Sequence, residues 1–216
     1  MLQLRDPVPG ALREVVPSRA GLLAVDVQGP GWRAYVTGDL VRRTAQLLGL
    51  RVRLTFDTLP AEALRCGIHP ANLDDLPVER LDVMVSGSEV ETTARHRLLV
   101  ADDPPAAAVG LASRLVLLQT HDREPVSAGL EEAERELDGW RAAVAAWAEE
   151  PSKPMCAEVQ QGVLDAFCED LDTPRALRGL RDCAAGDLPA GCKFETFAWA
   201  DRLLGLDLAR DVGQVR

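Results

Sequence analysis

The chain has 216 residues, 47% of them apolar, and a formal net charge of −10 at pH 7. This length is sufficient to bury the core of one large domain or two small ones. A nucleic acid needs lysine and arginine contacts to its phosphates, so the acidic balance disfavours tRNA as a partner, although a local basic patch is not excluded.

The first part of the chain predicts a strand, a helix and a second strand. Proline and glycine punctuate residues 1–20, which we expect to form loops. Residues 21–27 form a continuous apolar run that predicts a buried strand, and 51–56 alternates with period two as a second strand. Residues 33–48 carry apolar side chains at helical spacing. A strand, helix and strand in this order predict a parallel sheet.

The next part adds two strands and a helix. Residues 57–80 are rich in turn-forming residues, and 81–86 and 97–101 read as further strands. An apolar helix is predicted over 106–119. We therefore expect residues 1–120 to form a small Rossmann-like domain of α/β class.

Beyond residue 120 the pattern is helical only. Short links separate four amphipathic segments, which predicts an antiparallel helical bundle over 121–216 and an α/β plus α fold class. The expected helices are 127–150 with Ser127 as its cap, 155–170, 173–186 and 193–204. The excess of acidic residues lies here, since 127–170 holds eleven acidic and three basic side chains.

The start of the third bundle helix carries a specific pattern. Thr173 is expected to cap it and Pro174 to occupy its first helical position. The sequence Asp-x-Asp-Thr-Pro-x-Ala-Leu at 170–177 resembles the helical domain that follows the catalytic core of cysteinyl-tRNA synthetases and of the related cysteine ligase of mycothiol synthesis. That resemblance implies a Rossmann-like class I synthetase core ahead of a helical bundle.

Other segments carry the same resemblance. Residues 118–127 are similar to the family segment Ser-x-His-Tyr-Arg-Ser-Pro, which leads into the helical domain. Residues 25–30 resemble the strand that ends in Cys-Gly-Pro, and 39–52 resemble the family's first helix and next strand. The family uses ATP and a zinc ion held by cysteine, histidine and glutamate, so the resemblance raises the question of whether these sites persist.

The residues that the family uses for catalysis are missing. Gln28 stands at the position of the first zinc ligand, and a neutral amide is a poor zinc ligand compared with a thiolate. An alternative alignment of 29–32 with the family motif Arg-Pro-Gly-Trp also leaves no cysteine at a zinc position. Only about two residues separate Pro30 from the predicted first helix, which leaves no room for the family's His-x-Gly-His motif. The second signature, Lys-Met-Ser-Lys-Ser, is also missing, since no lysine precedes Lys153. We therefore expect that the chain uses no ATP or zinc as a cofactor. We also expect that it has no catalytic residue and no metal ligand.

Five residues are the candidates for a remnant of the substrate cleft. Gln28 and Gly29 follow the first predicted strand, Gly87 and Glu89 follow the third, and His96 comes shortly afterwards. Open α/β sheets bind ligands at the carboxyl ends of their strands, where Glu89, Glu91 and His96 would lie. The simpler interpretation, which we favour for these last three, is a solvated loop.

A second polar cluster lies in the turn-rich segment. It comprises Cys66, His69, Asn72, Asp74 and Asp75. Asparagine and aspartate commonly form turn and cap hydrogen bonds, so a structural loop explains this cluster better than a functional site does.

The remaining candidates have structural explanations. A modest basic patch lacks interleaved aromatic residues, and salt bridging to the acidic bundle accounts for it equally well. Its members are Arg42, Arg43, Arg51 and Arg53. Trp140 and Trp147 are seven residues apart, which is core spacing. The five cysteines include no Cys-x-x-Cys pair and are expected to be reduced and mostly buried, although Cys183 and Cys192 flank a loop across which they could meet.

These observations together predict a shortened synthetase-like pseudoenzyme that cannot form cysteinyl-adenylate alone. It would bind a small ligand in the remnant cleft or a protein partner through the bundle. The alternatives are an ATP-dependent amino-acid ligase that needs a partner subunit and, ranked lowest, a non-catalytic tRNA-binding protein. Charges from Arg5 onward and the lack of a long apolar run predict a cytoplasmic protein with no membrane partner, of undetermined oligomeric state.

Overall fold

A computed structural model describes residues 1–6, 10–69, 80–89, 91–101, 110–126 and 129–214. In chain order the elements are β1 (Gln3–Arg5), β2 (Leu12–Glu14), β3 (Leu22–Gln28), α1 (Trp32–Leu47), β4 (Arg51–Phe56), a 3-10 helix (Ala61–Cys66), β5 (Val83–Ser86), β6 (His96–Leu99), α2 (Leu111–Leu118), α3 (Leu130–Trp147), α4 (Ala157–Cys168), α5 (Thr173–Ala185) and α6 (Ala190–Leu204). This order confirms the predicted α/β part followed by helices.

Four strands form a parallel sheet in the order β4-β3-β5-β6. The register pairs Val25 with Val83 and Val83 with His96, so β3, β5 and β6 begin close to the same edge. Each strand lies within two residues of its predicted position. The apolar residues that faced one side of the predicted strands, such as Val25 and Leu54, are fully buried.

Helix α1 packs directly on one face of this sheet, and Gly38 permits the contact. A Cβ atom at Gly38 would lie 2.4 Å from Cγ2 of Val27 and 3.6 Å from Cδ1 of Leu54. Side chains alternate along a strand, so residues in step with Val27 face α1 and their neighbours face the other side of the sheet. The candidate site described below lies on the face of the sheet away from α1.

The N-terminal segment differs from its prediction as a loop. β1 and β2 pair in antiparallel fashion, with Leu4 opposite Arg13, and Leu2 and Leu4 are buried. The strands are only three residues long, and the apolar alternation of Leu2 and Leu4 is too short to stand out beside the neighbouring prolines. The amide of Asp170 donates to the carbonyl of Gln3 at 2.9 Å, which attaches β1 to the turn between α4 and α5.

The turn-rich segment 57–80 also contains a regular element that the sequence did not reveal. Ala61–Cys66 forms a 3-10 helix that buries Ala63 and Cys66. Its end is marked by Gly67, whose φ of 69° suits glycine. The expected turn at Asn72, Asp74 and Asp75 lies outside the described residues.

The helical part agrees with the prediction, with small shifts at the ends. Trp140 and Trp147 both pack edge-on against Phe197, with ring centroids 5.7 and 5.2 Å apart, so their spacing does reflect core packing. The proposed Ser127 cap and residues 106–109 of the preceding helix lie outside the described residues. Apolar residues of the sheet and of the helices belong to one continuous core, and the division at residue 120 stays a prediction.

The start of α5 corrects the expected cap. Asp172 is the N-cap, and its Oδ1 accepts a hydrogen bond from the amide of Arg175 at 3.0 Å. Thr173 is the first helical residue and Pro174 the second. The chain enters the helix through Asp170 and Leu171, whose φ angles of 63° and 54° are left-handed. That tight turn depends on tertiary contacts, so the sequence pattern placed the cap one residue late.

A buried ion cluster connects α1 with α2. The carboxylate of Asp39 lies 2.7 Å from Nη2 of Arg114 and 2.6 Å from Nε of Arg43, and it also binds Arg42. Arg114 donates further to the carbonyl of Leu204 at 2.6 Å, which adds the end of α6 to the joint. Among the described residues, no helix is both long and apolar enough to cross a membrane.

Candidate functional site: a polar groove on the sheet

Three of the five predicted cleft residues lie at the carboxyl edge of the sheet. Gln28 ends β3 and pairs in register with Ser86, the last residue of β5, so Gly29 and Gly87 follow neighbouring strands. Gln28 Nε2 donates to Asp26 at 3.0 Å. The amide of Gly29, whose φ is 90°, donates to a carboxylate oxygen of Asp57 at 3.0 Å. These contacts fix the strand ends and use the polar group of Gln28 internally.

His96 is not part of that edge. It begins β6 and pairs with Val83 at the start of β5, whereas Gln28 pairs with the end of β5. Its imidazole is buried, and burial lowers the pKa of His96. The prediction that His96 lines the cleft at the carboxyl ends is therefore not supported, because a residue that opens a parallel strand lies at the opposite edge from residues that close its neighbours.

Glu89 lies in an open groove on the face of the sheet away from α1. The groove has a volume of about 920 Å³. It is lined by Leu81, Met84, Glu89, Glu91, Thr92, Thr93 and Arg97. Met84 pairs with Arg97 in register, while Val85, one residue on, pairs with Val27 on the α1 side. Alternation along the strands therefore directs Met84 and Arg97 into the groove.

The wall of the groove is built by the link between β5 and β6. Parallel strands usually need a crossover of a dozen or more residues, commonly a helix. Here residues 87–95 make the connection, and the described part of this link contains no helix. The Thr92 hydroxyl accepts the amide of Ala94 at 3.0 Å and shapes the link. The described part of this link contributes Glu89, Glu91, Thr92 and Thr93 to the lining of the groove.

Three charged side chains line the groove. Within the described part of the chain, Glu89, Glu91 and Arg97 form no ion pair and no hydrogen bond. Elsewhere the structure pairs its half-buried arginines, as it does Arg123 with Asp170. Glu89 and Glu91 are exposed and Arg97 is half-buried, so all three side chains are accessible from solvent.

The lining determines what the groove can bind. A guanidinium recognises a carboxylate through two parallel hydrogen bonds, and a carboxylate accepts hydrogen bonds from an ammonium group. Met84 is buried and offers an adaptable apolar surface beneath these groups. No cluster of three or more potential metal ligands occurs among the described residues. The groove therefore presents one guanidinium and two carboxylates around an apolar base.

Two members of the second predicted cluster, Cys66 and His69, lie within the described residues. Cys66 is buried, its thiol donates to the carbonyl of Gly110 at 3.5 Å, and burial raises the pKa of that thiol. His69 is exposed, and no hydrogen bond or ion pair within the described residues joins it to Cys66. Asn72, Asp74 and Asp75 lie outside the described residues, so their part in this cluster stays a prediction.

The predicted basic patch is largely neutralised within α1. Arg42 and Arg43 both bind Asp39, and Arg43 also donates to the carbonyls of Arg202 and Gly67 at 3.1 and 3.0 Å. The expected salt bridges to the acidic bundle are replaced here by one buried carboxylate of the same helix. Arg51 is exposed and Arg53 is half-buried on β4. Arg42 and Arg43 are thus used internally.

A further ion cluster involves residues of the segment 118–127. His121 Nδ1 lies 2.6 Å from Asp122, and Asp170 binds Arg123 and the amide of Arg5, the latter at 2.7 Å. Burial opposes the protonated imidazole, but the hydrogen bond and the charge of Asp122 raise the pKa of His121. The cluster fastens the α2–α3 link and the β1 strand to the turn before α5. It has the contacts of a structural joint.

Sequence reasoning missed Thr92, Thr93 and Arg97 as groove residues. The sequence did contain a signal for Arg97, since period-two alternation places it on the other face of the sheet from the buried Leu98. Its neighbour across the sheet, Met84, can be identified only once the register of β5 and β6 is known. The order of the strands was the missing information.

Known proteins that resemble the chain are cysteine ligases. The cysteine--tRNA ligase of Rhodospirillum rubrum is 38% identical over 103 residues, which cover 46% of this chain and 22% of that protein. The cysteine--tRNA ligase of Parvibaculum lavamentivorans is 34% identical over 101 residues, covering 45% and 22%.

A second kind of ligase gives a comparable match. The L-cysteine:1D-myo-inositol 2-amino-2-deoxy-alpha-D-glucopyranoside ligase of a Parafrankia species is 40% identical over 125 residues, covering 52% of this chain and 26% of that protein. No protein-family model matches the chain. Over about half of its residues, the chain is therefore similar to part of these two kinds of cysteine ligase, and the match spans about a quarter or less of their length.

Proposed function

We propose that this chain is a cysteinyl-tRNA synthetase-like protein that binds a small ligand in the polar groove and does not form cysteinyl-adenylate alone. The observation that carries the proposal is the presence of Glu89, Glu91 and Arg97, all unpaired among the described residues, around one cavity of about 920 Å³. Ligand sites are concave, with a few convergent polar groups over an apolar base. This groove has those properties.

The charges in the groove indicate an amino acid or a molecule that contains one. Arg97 would hold the carboxylate, and Glu89 or Glu91 would hold the ammonium group. Because the lining carries two acidic groups and one basic group, a ligand with a second amine gains an additional contact. Similarity to cysteine ligases is compatible with a ligand of this chemical class.

The loss of adenylate formation is supported by residues at the strand ends and along the chain. Adenylation needs donors for the charge that develops on phosphate, and losing one such donor costs about 3–4 kcal/mol in the transition state. Gln28, at the position where the resemblance expects a zinc thiolate, donates to Asp26. The chain has no lysine before Lys153 to serve as the second signature. ATP and zinc are accordingly not proposed as cofactors.

Binding to the groove can be tested by calorimetric titration of the purified chain with each of the twenty standard amino acids at low salt. We expect at least one to bind. Arg97→Met, and separately the double change Glu89→Gln with Glu91→Gln, should weaken that binding at least about tenfold, since one charge-assisted hydrogen bond contributes about 1.5–3 kcal/mol.

Matched controls are available on exposed helical positions. Arg178→Met and Glu158→Gln remove the same charges from α5 and α4, away from the groove. These variants should bind as the unmodified chain does. Failure of all twenty amino acids to bind, or equal binding by groove variants and controls, would contradict the proposal. Exchange activity that arises only after a synthetase-like partner is added would favour the two-subunit ligase instead.

A further inference from the structure

Three of the five cysteines lie at one end of the helical part. Cys156 is the N-cap of α4, Cys183 lies in the last turns of α5, and Cys192 is the third residue of α6. The loop after α5 reverses the chain direction, so the end of α5 and the start of α6 are neighbours. All three are free thiols.

One hydroxyl group connects two of these cysteines. Thr196 Oγ1 accepts the amide of Cys156 at 3.0 Å and donates to the carbonyl of Cys192 at 2.7 Å. Next to them, Lys193 Nζ donates to the carbonyl of Ala184 at 2.8 Å, which ties the start of α6 to the residue that follows Cys183. Cys156 and Cys192 therefore contact one fully buried threonine, and Cys183 precedes the residue that Lys193 binds.

The three thiols differ in accessibility. Cys183 and Cys192 are 3% and 7% exposed, whereas Cys156 is half-buried. Burial raises the pKa of the Cys183 thiol, and the charges of Cys156 and, to a smaller extent, Cys192 raise it further. Helices α4 and α5 pack against each other across the short link 169–172, so Cys156 at the start of α4 and Cys183 near the end of α5 lie at the same end of this helical hairpin. Oxidants reach accessible thiols first, so Cys156 is the entry point of the cluster.

The other two cysteines occupy unrelated surroundings. Cys66 donates to the carbonyl of Gly110, and Cys168, which is half-buried like Cys156, lies near the N-terminal amine. They serve as internal references, and Cys168 matches Cys156 in exposure.

We propose that Cys156 and Cys183 form an oxidisable pair that closes to a disulfide with hydrogen peroxide as the oxidant. In the first step the sulfur of Cys156 attacks one peroxide oxygen, the O–O bond breaks, and water leaves with the thiol proton. In the second step the sulfur of Cys183 displaces the hydroxyl of the resulting sulfenic acid as a second water. The two thiols lose two electrons, which reduce one peroxide to two waters.

The disulfide would join the start of α4 to the end of α5. These helices pack against each other, and both contact α6. A covalent link at the end of the helix pair away from the α4–α5 turn restricts the unfolded chain. The oxidised protein should therefore unfold at a higher temperature than the reduced one. The pair would thereby make the stability of the helical part respond to the redox state.

The direct test is peptide mapping of the 216-residue chain after reaction with equimolar hydrogen peroxide under native conditions and alkylation of the remaining thiols. A protease that cleaves at acidic residues separates Cys156 from Cys168 at Glu158, and Cys183 from Cys192 at Asp187. We expect a Cys156–Cys183 disulfide, two hydrogen atoms lost from the intact mass, and Cys66 and Cys168 alkylated.

Two variants sharpen this test. Cys156→Ser should abolish the disulfide, whereas Cys168→Ser should leave it unchanged. The unmodified protein decides the matter even if Cys156→Ser fails to fold, because its peptides identify the linked residues. Oxidation of Cys156 and Cys168 to similar extents without a disulfide, a disulfide between any other pair, or no reaction of the native protein would overturn the proposal.

Discussion

Replacing Asp39 by asparagine should strongly destabilise the protein, because this carboxylate balances a fully buried guanidinium. Asp39 and Arg114 are both inaccessible to solvent and lie 2.7 Å apart, and Arg42 and Arg43 bind the same carboxylate. Removal of one partner of a buried ion pair leaves an uncompensated charge and costs about 3–5 kcal/mol. Because Arg114 also donates to the carbonyls of Cys66 and Leu204, it cannot move to water without breaking those contacts.

Urea denaturation measures this change as a difference in the free energy of unfolding. Asp165→Asn is the matched control, since Asp165 is exposed on α4 and its carboxylate accepts a hydrogen bond from Gln161. The control should change stability by less than about 0.5 kcal/mol. A cost below about 1 kcal/mol for Asp39→Asn would refute the reasoning.

The pH dependence of the same variant provides a second readout. Burial raises the pKa of Asp39, but the charges of Arg114, Arg43 and Arg42 outweigh it, so the folded pKa lies below its ordinary value. The stabilisation is then present above the unfolded pKa of about 3.9 and is lost as pH falls through the folded pKa. Asp39→Asn should remove this part of the acid-induced loss of stability.

Two further predictions concern the sheet. Gly38→Ala places a Cβ atom 2.4 Å from Cγ2 of Val27 and should lower the free energy of unfolding by about 1–3 kcal/mol. Gly162→Ala has open space around the new Cβ atom and should raise the free energy of unfolding by about 0.5–1 kcal/mol. Denaturant midpoints that shift in the same direction in both variants would contradict this. Burial lowers the pKa of His96, so the folded state disfavours protonation of the imidazole. The free energy of unfolding should therefore fall as the pH drops below about 6.5, the pKa of histidine in the unfolded chain, until the pKa of the folded state is reached. His96→Gln should flatten stability in that interval, measured by urea titration at a series of pH values, and an unchanged slope would count against the buried, neutral imidazole.

Local sequence patterns predicted the secondary structure well where apolar residues repeat over several positions. The alternation in 51–56 and the helical spacing in 33–48 reflect burial on one face, which is a property of each segment alone. The three-residue strands β1 and β2 were missed because their stability comes from contacts with the α4–α5 turn, such as that between Gln3 and Asp170. Short elements of this kind are specified by tertiary packing.

The site was predictable only in part for the same reason. Glu89 was identified because it follows a strand, but its companions depend on the strand order. Met84 and Arg97 meet only because β6 pairs with β5 in one register. His96 was misplaced because the carboxyl and amino edges of the sheet cannot be assigned until the limits of β6 are known. The ionic partner of Arg42 was expected in the acidic bundle, because Asp39 is identified as a buried carboxylate only in the folded structure.

The central claim is that this cysteinyl-tRNA synthetase-like chain binds a ligand without forming cysteinyl-adenylate. It is tested most directly by cysteine-dependent exchange of pyrophosphate into ATP, with and without zinc, beside a full-length cysteine--tRNA ligase as the positive control. Our account predicts exchange by the control and none by the 216-residue chain under either condition. Robust cysteine-dependent exchange by the purified chain would contradict it.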